Sequence, residues 1–233
     1  MHGAKPAESS AVSGNPSSLT FRQKNTLKSL ASNARERVRV NKILEEHMEE
    51  IIYPCKKTFT FEWLPGYHVK TGSSRIQGAQ ALRQCIKKHG LKLLTVPKKH
   101  LYPISKKHRD NISRDSYFKN DPFIVVAEQI NQIPDGVMNL EHAKEIYFLL
   151  SHAKYGSNYF TDASNANLVF CSDGKIAFID TEKGSFMATK PFYGVVELLK
   201  YGNRENKDPQ ALQFFQEKCI ELQYQSADQC LMQ

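Results

Sequence analysis

The sequence contains no run of about eighteen consecutive apolar residues, so nothing in it reads as a membrane-spanning helix. Its five cysteines, Cys55, Cys85, Cys171, Cys219 and Cys230, include no Cys-x-x-Cys pair. An odd, widely spaced set argues against structural zinc and against a disulfide framework, and it fits reduced thiols in an intracellular, cytoplasmic setting. The opening MHGAKPAESSAVSGNPSSLT has almost nothing to bury and lacks the apolar region of a secretory signal. Rich in Ser, Ala, Pro and Gly, residues 1–21 are expected to form a disordered tail. Acid is missing elsewhere: between Lys70 and Asp110 there is no Asp or Glu, while Lys and Arg recur throughout. A basic stretch in a chain of net charge +8 suits nucleic acid, an anionic membrane surface or a phosphorylated ligand, and equally a solvated surface with no dedicated partner. No RNA- or DNA-binding module is recognisable, which makes nucleic acid the weakest of these readings.

What is present is globular in composition, 40% apolar with thirteen Phe and ten Tyr. The length of 233 residues suits one ordinary domain or two small lobes. Residues 22–51 carry Val38, Ile43, Leu44, Met48 and Ile51 near helical spacing, which predicts a long helix within an extension reaching residue 56. At Phe59, Phe61 and Trp63 the period changes to two, and Pro65-Gly66 turns the chain towards GYHVKT. Ile76, Ala79, Leu82, Cys85 and Ile86 then share one helical face, and Gly90 is a stop signal. LKLLTVP and HLYPI are short strands, 105–121 a polar loop, and PFIVVAEQI a buried strand. Asn139 caps a helix over 140–154, and Asp208-Pro209 opens another. Strands with one helix, followed by helices with one hairpin, predict an α+β fold in two lobes.

The stretch YFTDASNANLVFCSDGKIAFIDTE, residues 159–182, joins strand and chemistry. Two apolar runs flank a Ser172-Asp173-Gly174 turn, so the ends of the hairpin, Asn167 and Asp180, come together. An amide oxygen and a carboxylate suit Mg²⁺, which takes few protein ligands and leaves room for phosphate oxygens. A further acid, Asp162, is placed to orient a hydroxyl and take its proton, which is the minimum that phosphoryl transfer requires. Taken singly, Asp162 and Asn167 also suit turn and cap chemistry. Glu182 is a second metal-site acid or a solvated neighbour.

This Asp-x-x-x-x-Asn pattern, followed by a hairpin and an Ile-Asp ending, resembles the catalytic core of the protein-kinase-like superfamily. The FIDTE ending is closest in style to aminoglycoside and choline phosphotransferases. The resemblance implies a small β-rich N-lobe at 57–131 and a compact helical C-lobe at 132–233. It implies Asp162 as the catalytic-loop acid, and Asn167 and Asp180 as Mg²⁺ ligands. It also implies Lys70 as the phosphate-binding lysine, and Glu128 to Ile130 as the hinge meeting the adenine of ATP. Two family features are absent: no glycine-rich loop precedes Lys70, and the following helix has no Glu to pair with it. Arg75, Gln77 and Gln80 supply no negative charge there, so an acid from outside that helix holds Lys70, or Lys70 has another role. The expectation is an ATP- and Mg²⁺-dependent phosphotransferase acting on a hydroxyl of a protein or small molecule. The alternative is a pseudokinase that binds nucleotide or protein without transfer. HRDNISRD at 108–115 copies kinase letters but precedes the hinge-like strand, and is read as a solvated loop. Lys98 and Lys99, after Pro97, are either solvated or phosphate-facing.

Overall fold

A computed structural model describes residues 42–52, 58–112, 116, 118–119, 121, 123–164, 167–187, 191–200 and 207–231. The expected tail and the part of the long helix before residue 42 lie outside the described residues. Residues 42–46 are helical, and α1 (Met48–Ile52) continues them after a turn at His47. Leu44, Met48, Ile51 and Ile52 are all buried, a spacing that makes one apolar stripe.

That stripe covers a four-stranded antiparallel sheet of order β1-β2-β5-β4, built from β1 (Thr58–Phe59), β2 (Tyr67–Lys70), β4 (Lys99–Pro103) and β5 (Phe123–Glu128). Alternation decides which residues meet it. Val69, Tyr102, Ile124 and Val126 point to the helix side and join Leu44, Met48, Ile51, Ile52, Leu64 and Phe118 in one core. Burying each such side chain contributes roughly 1.5–3 kcal/mol. The expected hairpin is present, with the first strand cut to two residues because the chain already turns at Phe61–Leu64.

The second core lies on the other side of the chain's fold. It gathers α2 (Ser74–His89), α4 (Leu140–His152), α5 (Phe192–Lys200) and α6 (Pro209–Leu231) around a three-stranded sheet. That sheet has the order β3-β9-β8, from β3 (Leu94–Thr95), β8 (Leu168–Phe170) and β9 (Ile176–Phe178). Gly90, at φ 66°, ends α2 by donating its N–H to Ile86 O. Asn139 caps α4 by accepting from His142 N at 2.9 Å, and Asp208 caps α6 by accepting from Ala211 N at 2.7 Å. The chain is thus mixed α and β, with small sheets and several helices, in keeping with α+β. Among the described residues no helix is long and apolar enough to cross a membrane.

Three local features depart from the sequence reading. Residues 105–121 are not wholly a loop: α3 (Lys106–Arg109) forms there, and His108 is buried against Glu45 at 3.1 Å. A small hairpin, β6 (Lys154–Tyr155) with β7 (Asn158–Tyr159), turns through Gly156 at φ 63° before the chain reaches Asp162. Finally, β3 pairs in parallel with β9, Leu94 opposite Ile176. A boundary at residue 131 therefore runs through a sheet: Leu94 is buried in the second core and pairs with a hairpin some eighty residues later.

Candidate functional site

The strand registers place His68 and Lys99 opposite Ala127, and Lys70 and Leu101 opposite Val125. One face of the sheet, away from α1, therefore presents His68, Lys70 and Lys99 together. A hollow of about 150 Å³ opens on this face, lined by Thr58, His68, Lys70, Glu128, Ile130 and Ile179 among others. Within it His68 is held below its ordinary pKa, first by burial and then by the neighbouring Lys70. The N–H groups of Glu128 and Gln129 are donated to Lys98 O at 2.9 Å and Gly66 O at 2.8 Å. Two of the three hinge N–H groups are thus engaged within the protein, while Glu128 and Ile130 still line the hollow.

The segment Ile179–Glu182 leaves β9 directly beneath this hollow and meets a cluster of charge. Lys70 Nζ donates to Ile179 O at 3.4 Å, and Lys99 Nζ donates to the same carbonyl at 3.1 Å and to Thr181 Oγ1 at 2.6 Å. Arg75, from the first turn of α2, donates from Nη1 to Asp180, from Nη2 to Glu182 at 3.3 Å and from Nε to Thr71 O at 2.7 Å. Three cations face two carboxylates. The consequence is plainest at Lys99, whose pKa falls from 10.5 to about 7, through burial first and then through Lys70 and Arg75, against the pull of Asp180 and Glu182. Lys70 is lowered as well, by burial first and then by Arg75, against the same two carboxylates.

Packing fixes this cluster. Gly78 on α2 lies so close to Thr181 that a Cβ there would sit 1.8 Å from its carbonyl oxygen. Fully buried Thr181 donates from Oγ1 to Arg75 O at 2.9 Å. Helix and segment are therefore locked together, and the guanidinium, only 3% exposed, is held where it meets Asp180.

Further along the segment a larger cleft opens, about 710 Å³, lined by Thr161, Asp162, Glu182, Ser185, Met187, Tyr193 and Glu197 among others. Asp162 accepts from Ser185 Oγ at 3.1 Å and from Ser164 Oγ at 3.4 Å. Thr161 N donates to Ser185 O at 2.8 Å, which ties the Asp162 loop to the segment after Asp180.

No family model matches the chain, and no curated protein or solved structure matches it either. The site therefore has to be read from its own geometry.

The structure brings Lys70, Glu128 and Ile130 to one hollow. It also joins the hairpin ends as expected, since Ile179 N donates to Asn167 O at 3.0 Å. It does not turn the two acids to a common partner: the Asp180 carboxylate goes to Arg75, and that of Asp162 to Ser164 and Ser185. Glu182 is paired with Arg75 rather than merely solvated, and Lys99 is turned inward, whereas Lys98 is exposed and pairs with Glu128 at 3.5 Å. Arg75 and Thr181 are the residues that sequence reasoning missed. A signal existed: a helix without acid, set against a hairpin ending in two acids, invites a cation from that helix.

The divalent ion that the resemblance implies does not fit these side chains as arranged. Asn167 and Asp180 have suitable donor chemistry. Yet the Asp180 carboxylate is engaged by a guanidinium that Thr71, Thr181 and the Gly78 contact hold in place. A second cation would sit against a fixed positive charge. Among the described residues no three His, Cys, Asp or Glu side chains form a metal-ligand group; an Asn and an Asp completed by phosphate oxygens is not of that kind.

Proposed function

We propose that this chain is a kinase-like phosphotransferase that binds ATP between its four-stranded sheet and the Ile179–Glu182 segment. In this reading the sheet with the first core is the N-lobe, while α2 and β3, expected in that lobe, pack into the second, C-lobe core, and the nucleotide lies between the two. One observation carries it: Lys70, Glu128 and Ile130, chosen by pattern from distant parts of the sequence, line a single hollow together with Ile179. The hollow is smaller than the roughly 300–1,000 Å³ of most ligand sites, so it takes a base-sized group while the phosphates extend along Lys70. Asp162, in the larger cleft further along the segment, accepts the proton of an acceptor hydroxyl as the hydroxyl oxygen attacks the γ-phosphorus and ADP departs. Lys70 and Lys99 neutralise the charge that develops on the phosphoryl oxygens.

The Arg75–Asp180 pair favours a second reading, a binding module of the same construction that holds nucleotide without transfer. Radiolabelled ATP separates the two. Transfer to an acceptor or to the protein itself, lost in Asp162→Asn with nucleotide binding retained, is the expected result. Saturable binding with no transfer under any condition selects the binding module. Absence of any ATP-induced rise in melting temperature refutes both, because a ligand of the folded state must raise it.

A further inference from the structure

The charge cluster has a consequence beyond the identity of the nucleotide. Arg75 satisfies Asp180 and Glu182, and the two lysines are left over. Among the described residues neither Lys70 nor Lys99 forms an ion pair; their acceptors are one shared carbonyl, Ile179 O, and the Thr181 hydroxyl, all neutral. Lys70 is 8% exposed and lines the hollow, and its amine donates to the carbonyl of Ile179, another lining residue, so its charge is buried at the edge of the space a ligand would fill. Two ammonium groups on one neutral oxygen repel each other. A cationic pair of this kind is stable chiefly when an anion arrives between the two groups. A metal-dependent site has the opposite construction, since there the carboxylates are left in excess for the ion to neutralise.

We infer that the Lys70–Lys99 pair holds the phosphate groups of the ligand without a divalent cation, Arg75 having taken the place beside Asp180 that a metal would occupy. The inference rests on the nucleotide reading for the ligand's base but not for its anionic part. Lys99 is then a phosphate-binding residue supplied by β4, in addition to the lysine on β2. Arg75 is a positioning residue, because it acts by keeping Asp180 neutralised and the Ile179–Glu182 segment in place. In sequence terms, the acid-free stretch from Thr71 to Arg109 supplies Arg75 and Lys99 but no carboxylate, and the two acids that follow β9 are both taken by Arg75.

The test is calorimetric titration of the full chain with ATP, in excess EDTA and separately in millimolar Mg²⁺, alongside inorganic tripolyphosphate in EDTA. The expected result is an ATP dissociation constant in EDTA within about threefold of that in Mg²⁺. Tripolyphosphate should bind and compete with ATP. Lys99→Met should weaken both ligands at least tenfold while remaining folded by circular dichroism. ATP binding that appears only with Mg²⁺ overturns the inference and leaves the nucleotide reading intact. Tripolyphosphate binding in EDTA with no ATP binding does the reverse, supporting the lysine pair as an anion site and sinking the nucleotide reading. If neither ligand binds in EDTA, or if Lys99→Met binds as tightly as the parent, the lysine pair is not a phosphate site. Arg75→Gln adds a second readout: with Asp180 released, ATP affinity should become Mg²⁺-sensitive. A variant that stays folded and indifferent to Mg²⁺ counts against the role given to Arg75.

Discussion

Replacing Lys99 by Met should make the ligand-free protein more stable near neutral pH and remove part of its pH dependence. In the unfolded chain the amine ionises at 10.5; in the folded protein burial and the charges of Lys70 and Arg75 bring it down to about 7. That difference corresponds to about 5 kcal/mol between the charged and neutral amine, of which about 4 kcal/mol weighs against folding at pH 7. Methionine fills a similar volume and carries no charge, but it cannot donate to Ile179 O or Thr181 Oγ1. Losing those two bonds costs about 2 kcal/mol, so the net gain is about 2 kcal/mol at pH 7. The sign of the pH dependence follows from proton counting. Between the folded and unfolded pKa values the unfolded chain holds more protons, so the stability of the parent rises with pH and the Lys99 penalty shrinks. From pH 7 to pH 8.5 the penalty falls by about 2 kcal/mol, so most of the variant's advantage disappears. Lys70 and Lys207 are lowered too and act with the same sign in both proteins, while Cys85, Cys171 and Cys219 are raised and act with the opposite sign above about pH 9. Comparing the two proteins by urea denaturation within this window therefore reports Lys99 together with its repulsion of Lys70. A variant less stable than the parent at pH 7, or a gap that does not change with pH, refutes the reasoning.

Gly78→Ala should destabilise the fold by roughly 2–3 kcal/mol, because the new methyl meets the Thr181 carbonyl and one backbone must move. Gly184→Ala, where nothing lies within 4 Å, is the matched control and should be near neutral in the same urea titration. Arg75→Met should cost about 3 kcal/mol, the low end for a broken buried pair, since Asp180 keeps some contact with solvent and Glu182 more. A melting temperature unchanged in Arg75→Met shows that the ion pair does not organise the segment.

Features governed by neighbours in sequence were legible. The Asn139 and Asp208 caps, the Gly90 stop, the Ser172–Gly174 turn and the continuous apolar run of PFIVVAEQI all depend on residues a few positions apart. Lys70, Glu128 and Ile130 were singled out by the kinase-like resemblance, and they line one hollow because β2 and β5 are direct neighbours in the sheet. What was not legible depends on partners far apart. The β3–β9 pairing joins short strands whose own sequences say nothing of each other. The contact of Arg75 with Asp180 spans 105 positions, and spacing within a helix cannot announce it. The hairpin at Lys154–Tyr159 was within reach, since Tyr-Gly-Ser-Asn is a turn sequence, but the helix before it hid the change of period.

The acid-free stretch also explains why helix and site are inseparable here. A helix that carried a glutamate towards Lys70 would neutralise that lysine and leave Asp180 free. This helix carries Arg75 instead, which neutralises Asp180 and leaves Lys70 free. The two arrangements differ by two units of charge and leave opposite vacancies, the first for a cation and the second for an anion. Because Gly78 sits against Thr181 and Thr181 bonds to Arg75 O, rotating α2 away to exchange one arrangement for the other would open the core around Ala79, Leu82 and Phe186. The preference is therefore built into the packing as well as into the side chains. It follows that Asp180→Asn, which in a metal-dependent site abolishes nucleotide binding, should here leave ATP affinity in EDTA within a few-fold of the parent. Isothermal titration of that variant measures this directly, and complete loss of binding would mean that the carboxylate, not the lysine pair, governs the site.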